Sequence, residues 1–451
     1  MGRIKVIAQQ QPLTRLELKL HPHFTIKHNL KSLMKTTITI IGAGISGLTA
    51  AVYLHQKGYQ VQIIEASDRA GGRIKTDTVD GFLLDRGFQV LLTEYPETKA
   101  LLDYNKLNLK RFLPGATVLY DSGQFEIADP FRRPTAFFAT VLAPVGSLKD
   151  KINTFFLKRK VVNISISELF KQPELETSTQ LSHYGFSPKM IARFYKPFFS
   201  GIFLENELKT SSNMFDFVMK MFSEGDAAIP ELGMEEIPKQ LVALLPENAI
   251  RYNLKVTAID ANKIICENGT IIESDKIILA TEAIGFAANY NLKSKQKFHS
   301  VTNVYFEAKV APTHKSVVVL NAATTKKWVN NLTVMTNISE HYAPKGKVLI
   351  SISLNGIPAI DDATLAENMI TELKKWYGNQ VEDWKLLKTY RIHYALPNQE
   401  KVSDEVTKSE IKINENLFVC GDYLLNGSIN AAMKSGRLVA ELIAEMERMA
   451  N

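Results

Sequence analysis

The feature that most constrains the fold is a glycine turn that joins a short apolar strand to a helical segment. Residues 36–41 have the pattern of a buried strand and run directly into Gly-Ala-Gly-Ile-Ser-Gly at residues 42–47. A helical pattern follows, and a second apolar strand, residues 61–64, ends at Glu65. Strand, glycine turn, helix, strand and acidic residue in this order predict a dinucleotide-binding unit of an α/β fold.

Each position of this turn has a physical role in binding a pyrophosphate. Gly42 permits the tight turn, Gly44 lets the backbone approach the phosphates, and Gly47 lets the helix pack close to the strand. The start of the helix offers free N–H groups and a positive dipole to the anion. Glu65, 23 residues after Gly42, is placed to bind ribose hydroxyls and would repel a 2′-phosphate.

The segment after the second strand indicates which dinucleotide is bound. It reads Glu-Ala-Ser-Asp-Arg-Ala-Gly-Gly-Arg over residues 65–73. Gly71 and Gly72 leave space for the Arg73 guanidinium beside a pyrophosphate, where it can bind two phosphate oxygens. This segment resembles the E-x(6)-G-G-R segment of the flavoprotein superfamily of amine oxidases, protoporphyrinogen oxidases and carotenoid (phytoene) desaturases. The resemblance implies that the cofactor is FAD.

A segment near the C-terminus resembles the same superfamily. Residues 417–422 read as a buried strand that ends in Gly421 and Asp422, and residues 427–437 begin the last helix. The resemblance implies that Gly421 and Asp422 contact the ribityl and pyrophosphate region. It also implies that the start of the last helix faces the isoalloxazine carbonyl, where its dipole would stabilise negative charge on a reduced flavin.

The middle of the chain supplies a third segment. Residues 254–272 contain three short apolar or alternating stretches with an Asn-Gly turn at 268–269, which predicts a β-meander. Residues 276–281 then predict a strand that returns to the parallel sheet. The resemblance implies that Val256 lies near the adenine. The sequence therefore predicts FAD contacts at Gly42, Gly44, Ile45, Ser46, Gly47, Glu65, Ala66, Gly71, Gly72, Arg73, Val256, Gly421, Asp422, Ser428 and Ile429.

The fold class that follows is α/β, with a discontinuous Rossmann-like FAD-binding domain of parallel sheet plus β-meander. An inserted, mixed α+β substrate domain is expected between its segments. The FAD-binding domain is predicted at 36–98, 229–292 and 405–450, and the substrate-binding domain at 99–228 and 293–404.

Two apolar segments of the expected substrate domain leave alternatives open. Residues 193–203 are rich in aromatic side chains and either line an apolar substrate cavity or form the core of a helical domain. Residues 135–148 are apolar and lie between basic residues. A buried helix is the favoured interpretation of this second segment, and a helix on a membrane surface is the alternative.

Catalytic side chains are poorly specified, because the flavin carries the chemistry. His393 or Tyr394 could position a substrate, since the corresponding region of the family approaches the flavin. Asp85 and Gly87 match a family Asp-x-Gly that passes under the flavin. Asn303 aligns with the lysine that amine oxidases of this family use, and Ser428 replaces the aromatic residue at the start of their last helix. These departures make amine oxidation doubtful.

Composition excludes several classes of protein. Hydrophobic residues make up 45% and charged residues 22%, which is globular usage and not that of a disordered chain. No apolar run reaches the ~18 residues of a spanning helix. Two cysteines, Cys266 and Cys420, predict neither a disulfide framework nor a metal cluster, and favour a reducing, cytoplasmic setting.

The net charge of +7 is concentrated in residues 1–35, where seven basic residues face Glu17 alone. The rest of the chain is nearly neutral, so no nucleic-acid partner is expected. Residues 1–35 lack periodicity and are predicted to be a disordered basic N-terminal extension, or sequence upstream of a start at Met34. A transit peptide is the alternative.

The predicted protein is an FAD-dependent oxidoreductase that holds FAD non-covalently and transfers a hydride from a substrate C–H to flavin N5. A small apolar substrate of the porphyrinogen or polyene type is favoured, with oxygen or another electron acceptor as the second partner and peripheral membrane contact as a further option. The alternatives are a flavin amine oxidase and a non-catalytic, prenyl-binding escort-type protein. The intact Glu65, Arg73 and Gly421-Asp422 set argues against the escort-type protein.

Overall fold

The parts of the chain that position the site are a parallel sheet and a larger mixed sheet. The structure, a computed structural model, describes residues 36–129, 132–282, 297–325 and 328–450. The extension predicted at 1–35 lies outside the described residues. Strands and helices are numbered in chain order.

Five parallel strands form the sheet that carries the glycine turn. In order across the sheet they are β10 (Ile250–Arg251), β2 (Gln60–Ile64), β1 (Thr37–Ile41), β14 (Lys276–Leu279) and β20 (Leu417–Val419). The predicted unit is confirmed, since α1 (Ile45–Gln56) connects β1 to β2. The predicted return strand, β14, lies beside β1, and the strand predicted before Gly421 lies beside β14.

The two faces of this sheet are covered by different layers. Side chains such as Ile38, Ile40 and Ile278 share a core with α1 and α15 (Ile429–Ala450). The opposite face packs against the meander of β11 (Val256–Asp260), β12 (Lys263–Cys266) and β13 (Ile271–Glu273). A strand covered on both faces reads as a continuous apolar run, which explains the pattern of residues 36–41.

Glycine lets the two long helices approach closely. A Cβ atom at Gly436 of α15 would lie 2.3 Å from the Ser46 carbonyl oxygen and 3.0 Å from the Ala50 nitrogen of α1. Any larger side chain at 436 would push the helices apart. This contact holds the last helix against the first, although the two are separated by more than 370 residues of sequence.

A seven-stranded mixed sheet lies in the intervening parts of the chain. Its order is β19 (Lys385–Pro397), β15 (Phe298–Ala308), β18 (Val348–Asn355), β17 (Asn331–Val334), β16 (Val318–Asn321), β7 (Gly115–Tyr120) and β8 (Gly123–Ala128). β16 and β7 run parallel, and the other neighbours are antiparallel. Helix α13 (Asp362–Tyr377) packs on one face, around Val304, Phe306 and Leu373.

The other strands are short, and most of the other α-helices lie within residues 96–242. The remaining strands are β3 (Thr76–Val79), β4 (Phe82–Asp85), β5 (Leu91–Leu92), β6 (Lys110–Arg111) and β9 (Ala227–Ile229). The remaining helices are α2 (Pro96–Leu101), α3 (Tyr104–Leu107), α4 (Phe137–Leu142), α5 (Leu148–Val162), α6 (Ile166–Phe170), α7 (Thr177–His183), α8 (Pro188–Met190), α9 (Lys196–Phe203), α10 (Ser212–Glu224), α11 (Glu236–Val242), α12 (Met335–Ile338) and α14 (Lys408–Ile411). A π-helical segment, Ile191–Tyr195, joins α8 to α9.

Candidate functional site

The glycines of the turn have three different roles. Gly42 has a φ of +107°, and a Cβ there would lie 2.8 Å from the Ala280 carbonyl oxygen. A Cβ at Gly47 would lie 2.1 Å from the Gly42 oxygen, so Gly47 serves the packing of α1. A Cβ at Gly44 would have no atom of the protein within 4 Å. Gly44 therefore borders open space at the start of α1, where backbone N–H groups favour an anion.

Glu65 supports the turn and retains capacity for a ligand. Its Oε2 accepts a hydrogen bond from the Ala43 nitrogen at 2.7 Å, and its Oε1 accepts from the Ser67 nitrogen at 2.9 Å and from Ser67 Oγ at 2.6 Å. A carboxylate can accept about four hydrogen bonds, so Glu65 can also accept one from a ribose hydroxyl. The side chain lines the cavity described below.

Arg73 joins three distant segments of the chain. Its Nη2 donates to Asp422 Oδ1 at 2.6 Å, and its Nη1 donates to the Ala395 carbonyl oxygen at 3.1 Å. Burial lowers the pKa of Arg73, but the Asp422 carboxylate more than offsets this and the pKa is raised. The structure thus pairs Arg73 with Asp422, and the contact of Arg73 with phosphate oxygens stays a prediction.

Glu282 is a cavity residue that the sequence analysis did not identify. It follows β14 at the carboxyl end of a parallel strand, and it lines the cavity with Arg73 and Asp422. Burial raises its pKa, Arg73 lowers it, and Asp422 raises it further. The sequence could have indicated Glu282 by its position, just beyond the carboxyl end of a predicted parallel strand, because ligands of open parallel sheets bind there.

The C-terminal segment brings a second helix start to the same space. The Gly421 nitrogen donates to Ser435 Oγ at 2.9 Å, and the Gly427 nitrogen donates to the Asp422 carbonyl oxygen at 3.0 Å. Ser428 Oγ accepts from the Ala431 nitrogen at 3.0 Å, so Ser428 caps α15. Ser428 and the first residue of α15 both line the cavity.

One cavity of about 1820 Å³ collects these groups. Pockets for a single small ligand usually measure roughly 300–1,000 Å³, so the cavity is large enough for a dinucleotide and a substrate together. Every predicted FAD contact except Gly47 lines it. Within the described residues, the buried Thr281 Oγ1 has no hydrogen-bond partner in the protein and also belongs to the lining residues. The residues present therefore fit FAD.

The aromatic segment at 193–203 has both of the roles left open by its sequence. Tyr195, Phe199 and Phe203 are fully buried and belong to the core. Phe194 and Phe198 lie on another face and line the cavity, and their rings stack with centroids 5.6 Å apart. Helical spacing separates the two sets, because residues four apart share a face.

A charged cluster forms another part of the wall. Asp77 accepts hydrogen bonds from Arg69, Arg86 and Tyr390, and Lys388 Nζ lies 3.4 Å from its Oδ2. Burial raises the pKa of Asp77, but the hydrogen bonds from Arg86, Tyr390 and Arg69 outweigh it and hold the pKa well below its usual range. Asp77 therefore remains ionised at neutral pH.

The three candidates for a catalytic role, His393, Tyr394 and Asn303, differ in position. His393 and Tyr394 of β19 line the cavity, and Tyr394 is 44% exposed. Asn303 is fully buried, and its Oδ1 accepts from Ser353 Oγ at 2.8 Å while Ser351 Oγ binds the same amide. Asn303 is not among the residues that line the cavity. A direct catalytic role for Asn303 is thus not supported, because its amide is bound to the neighbouring strand.

Asp85 is buried next to the cavity-lining segment that contains Gly87. Its carboxylate accepts hydrogen bonds from Thr76 Oγ1 at 2.6 Å, the Met234 nitrogen at 2.9 Å and the Tyr342 hydroxyl at 2.8 Å. Asp85 is 1% exposed and does not line the cavity, whereas Gly87 does. Burial raises the pKa of Asp85 from 3.8 to about 6, in spite of these hydrogen bonds.

This raised pKa predicts a pH-dependent contribution to stability. The folded state binds more protons than the unfolded state between pH 3.8 and about 6, so the contribution of Asp85 is full below this window and is lost as the pH rises through it. We expect the unfolding free energy of the wild type, relative to Asp85→Asn, to fall by about 2–3 kcal/mol between about pH 4 and 7. Urea unfolding at both pH values measures it; an unchanged difference would contradict the assignment.

The glycine turn at residues 42–47 and the starts of α1 and α15 form a cradle that fits a dinucleotide such as FAD. Comparison with known proteins gives the class of protein and its family. A family model described as flavin containing amine oxidoreductase matches residues 45–444. The chain belongs to this family. The predicted class, an FAD-dependent oxidoreductase, is confirmed at this level.

Individual relatives match only part of the chain or share a low sequence identity with it. Protoporphyrinogen oxidase 2 of Arabidopsis thaliana is 32% identical over 158 residues, which cover 32% of this chain and only 30% of the plant enzyme. The 4,4′-diapolycopene oxygenase of a Methylomonas species is 44% identical over 54 residues, covering 12% of this chain and 11% of that enzyme. A provisionally assigned protoporphyrinogen oxidase of Exiguobacterium sp. 255-15 has a similar structure, with a TM-score of 0.71 at 17% identity, covering 92% of this chain and 99% of that one.

Proposed function

We propose that the chain oxidises a small apolar substrate of the porphyrinogen or polyene type by removing a hydride from a C–H bond. One observation carries this proposal: a single cavity is lined both by the dinucleotide cradle at Gly44 and by the aromatic wall at Phe194 and Phe198. FAD bound at the cradle supplies the hydride acceptor, flavin N5. The names of the plant and Methylomonas relatives support an apolar substrate.

In this scheme the residues of the protein bind the cofactor and orient the substrate. The start of α15, capped by Ser428, faces the cavity and favours negative charge there. His393 and Tyr394 orient the substrate from β19. The substrate would lose a hydride to the bound cofactor and a proton to solvent water and gain a C=C or C=N bond, and oxygen or another acceptor would take up the two electrons.

We further propose that FAD is held without a covalent link. The two cysteines of the chain, Cys266 and Cys420, are buried, and neither is among the residues that line the cavity. Burial raises the pKa of the Cys420 thiol to about 12, so it stays protonated and unreactive. The proposed FAD-binding segments remain 36–98, 229–292 and 405–450, with the substrate-binding segments at 99–228 and 293–404.

The two alternatives have different support. The family and its named relatives are oxidoreductases, which does not favour a non-catalytic escort-type protein. Amine oxidation fits the family name, but Asn303, aligned with the lysine of the amine oxidases, is bound to β18 and is not among the cavity-lining residues. An apolar substrate is therefore the better-supported proposal.

Anaerobic bleaching of the bound flavin tests this ranking. The purified holoprotein is mixed with a porphyrinogen, a desaturable polyene and a primary amine in separate reactions. We expect loss of the yellow absorbance with the porphyrinogen or the polyene, because the aromatic wall favours an apolar body. Bleaching by the amine alone would overturn the proposed substrate class, while leaving the family assignment intact.

A further inference from the structure

Apolar side chains are exposed on α4 and α5, at one edge of the cavity. Leu142 is 79% exposed, Leu148 65%, Phe156 58% and Ile152 47%. Phe138, in the same segment, is also exposed. The buried helix favoured from the sequence of residues 135–148 is therefore wrong for its outward-facing side chains, because α4 lies at the surface.

The exposed face of α5 carries apolar and basic side chains without an exposed acid. Its basic residues are Lys149, Lys151, Lys158, Arg159 and Lys160. Lys158 pairs with Asp129 and Lys160 with Asp216, so the exposed Lys149 and Arg159 supply the charge for a partner. The helix has a single acidic residue, Asp150, which is 1% exposed. Asp150 Oδ2 accepts from Ser147 Oγ at 2.7 Å and from Ser187 Oγ at 2.9 Å, so its charge is used inside the protein.

The two helices are held together and border the cavity. Lys151 Nζ of α5 donates to the carbonyl oxygens of Val141 and Ala143, at the C-terminal end of α4. A lysine at the end of a helix also complements the helix dipole. Val141, Leu148 and Ile152 line the same cavity as the aromatic wall. The exposed apolar face is thus continuous with the interior surface on which an apolar substrate would lie.

We propose that α4 and α5 dock on an anionic phospholipid bilayer, and that substrate enters the cavity from it. Charge complementarity selects this occupant: a helix that exposes Phe and Leu beside Lys and Arg matches the boundary between acyl chains and anionic headgroups. In the described residues, no helix is both long and apolar enough to cross a bilayer, so the contact lies in the interface. The docking stands on the surface itself; the entry of substrate rests on the proposed function.

Vesicle flotation of the full-length holoprotein tests the docking without turnover. We expect it to float with phosphatidylcholine vesicles that contain phosphatidylglycerol, to float less with phosphatidylcholine alone, and to be released by salt. Leu142→Ser with Phe156→Ser should lower the bound fraction by about tenfold. The control is Ile271→Ser with Val310→Ser, which changes two apolar side chains, each 60% exposed, elsewhere on the surface.

A second pair of variants tests the charge. Lys149→Glu with Arg159→Glu should lower binding to the anionic vesicles by about tenfold or more. Lys57→Glu with Lys345→Glu makes the same change at exposed positions away from α5 and should leave binding unchanged. Retained flavin absorbance shows that each variant is folded.

A fluorescence measurement tests the docking through a gain of signal and not through a loss of vesicle binding. The emission of Leu142→Trp should shift to shorter wavelength when anionic vesicles are added and should be quenched by brominated lipid, whereas that of Val310→Trp should not. A wild type that stays unbound on both vesicle types would overturn the docking. Variants of α4 and α5 that bind vesicles as well as the wild type would also overturn it. The same holds if their only effect is to convert a dimer of this chain to a monomer. Bleaching by an apolar substrate together with absent flotation would refute the docking and keep the proposed function.

Discussion

Gly44→Val is expected to abolish FAD binding while leaving the protein folded. A Cβ at this position meets no protein atom within 4 Å, and the backbone, with φ −74° and ψ 175°, accepts any L-residue. The added methyl groups would occupy the space through which a pyrophosphate approaches the start of α1. We expect FAD affinity to fall by at least about 1,000-fold, equivalent to about 4 kcal/mol, as measured by fluorescence titration of the apoprotein.

Two related variants make this result specific. Gly44→Ala adds a single methyl group and should cause a smaller loss of affinity without a change in the urea midpoint of the apoprotein. Gly47→Ala should instead destabilise the fold, since its Cβ would lie 2.1 Å from the Gly42 carbonyl oxygen. If Gly44→Val bound FAD like the wild type, the turn would not be the pyrophosphate site.

Arg73→Ala is expected to weaken both the fold and the binding of FAD. The substitution leaves the Asp422 carboxylate, which is 5% exposed, without its partner at 2.6 Å, beside the acidic Glu282. Breaking a buried pair costs about 3–5 kcal/mol. Because the Arg73 side chain is 30% exposed, we expect about 2 kcal/mol in the unfolding free energy. Loss of a charge-assisted contact of about 1.5–3 kcal/mol should weaken FAD affinity about 10- to 150-fold.

A double-mutant cycle and a matched arginine separate these effects. Arg73→Ala combined with Asp422→Asn should give a coupling energy of about 1–3 kcal/mol. Arg437→Ala removes an arginine of similar exposure, 26%, whose partners are Glu97 and Glu441 and which is not among the cavity-lining residues. It should lower stability and leave FAD affinity within about twofold. An Arg73→Ala protein with wild-type FAD affinity would show that the residue only joins chain segments.

Local patterns predicted the parallel sheet and its cradle well. The strands at residues 36–41 and 276–281 are apolar because both of their faces are covered, and Gly42 is specified by its own positive φ. These constraints act within a few residues of sequence, so they are visible without a structure. The meander was predicted for the same reason, since the Asn-Gly turn at 268–269 joins two alternating stretches.

Partners far apart in sequence were not predictable in the same way. The pairing of Arg73 with Asp422 spans 349 positions, and a motif indicates only that an arginine is present and not which anion it contacts. The segment 193–203 divides between core and cavity because helical spacing turns Phe198 one way and Phe199 another. The Asn303 side chain is hydrogen-bonded to Ser351 and Ser353 of β18, and the sequence does not show these contacts.

Exposure was the least predictable property. Residues 135–148 have the composition of a core helix, and Leu142 reads as a buried side chain. Whether such a side chain is buried depends on what packs over it, and that is decided by distant elements. The charged residues indicated the exposed helix better than its apolar residues did. Helix α5 has five basic residues and one acid, and the acid is the buried Asp150.

The most direct test of the account is the stoichiometry of flavin in the purified, full-length protein. We expect one FAD per chain after reconstitution, identified by mass spectrometry once denaturation has released it intact. That result would show one cofactor held without a covalent bond, as the account expects for the segments around Gly44, Arg73 and Asp422. A folded protein that remains colourless and cannot be loaded with FAD would contradict the account.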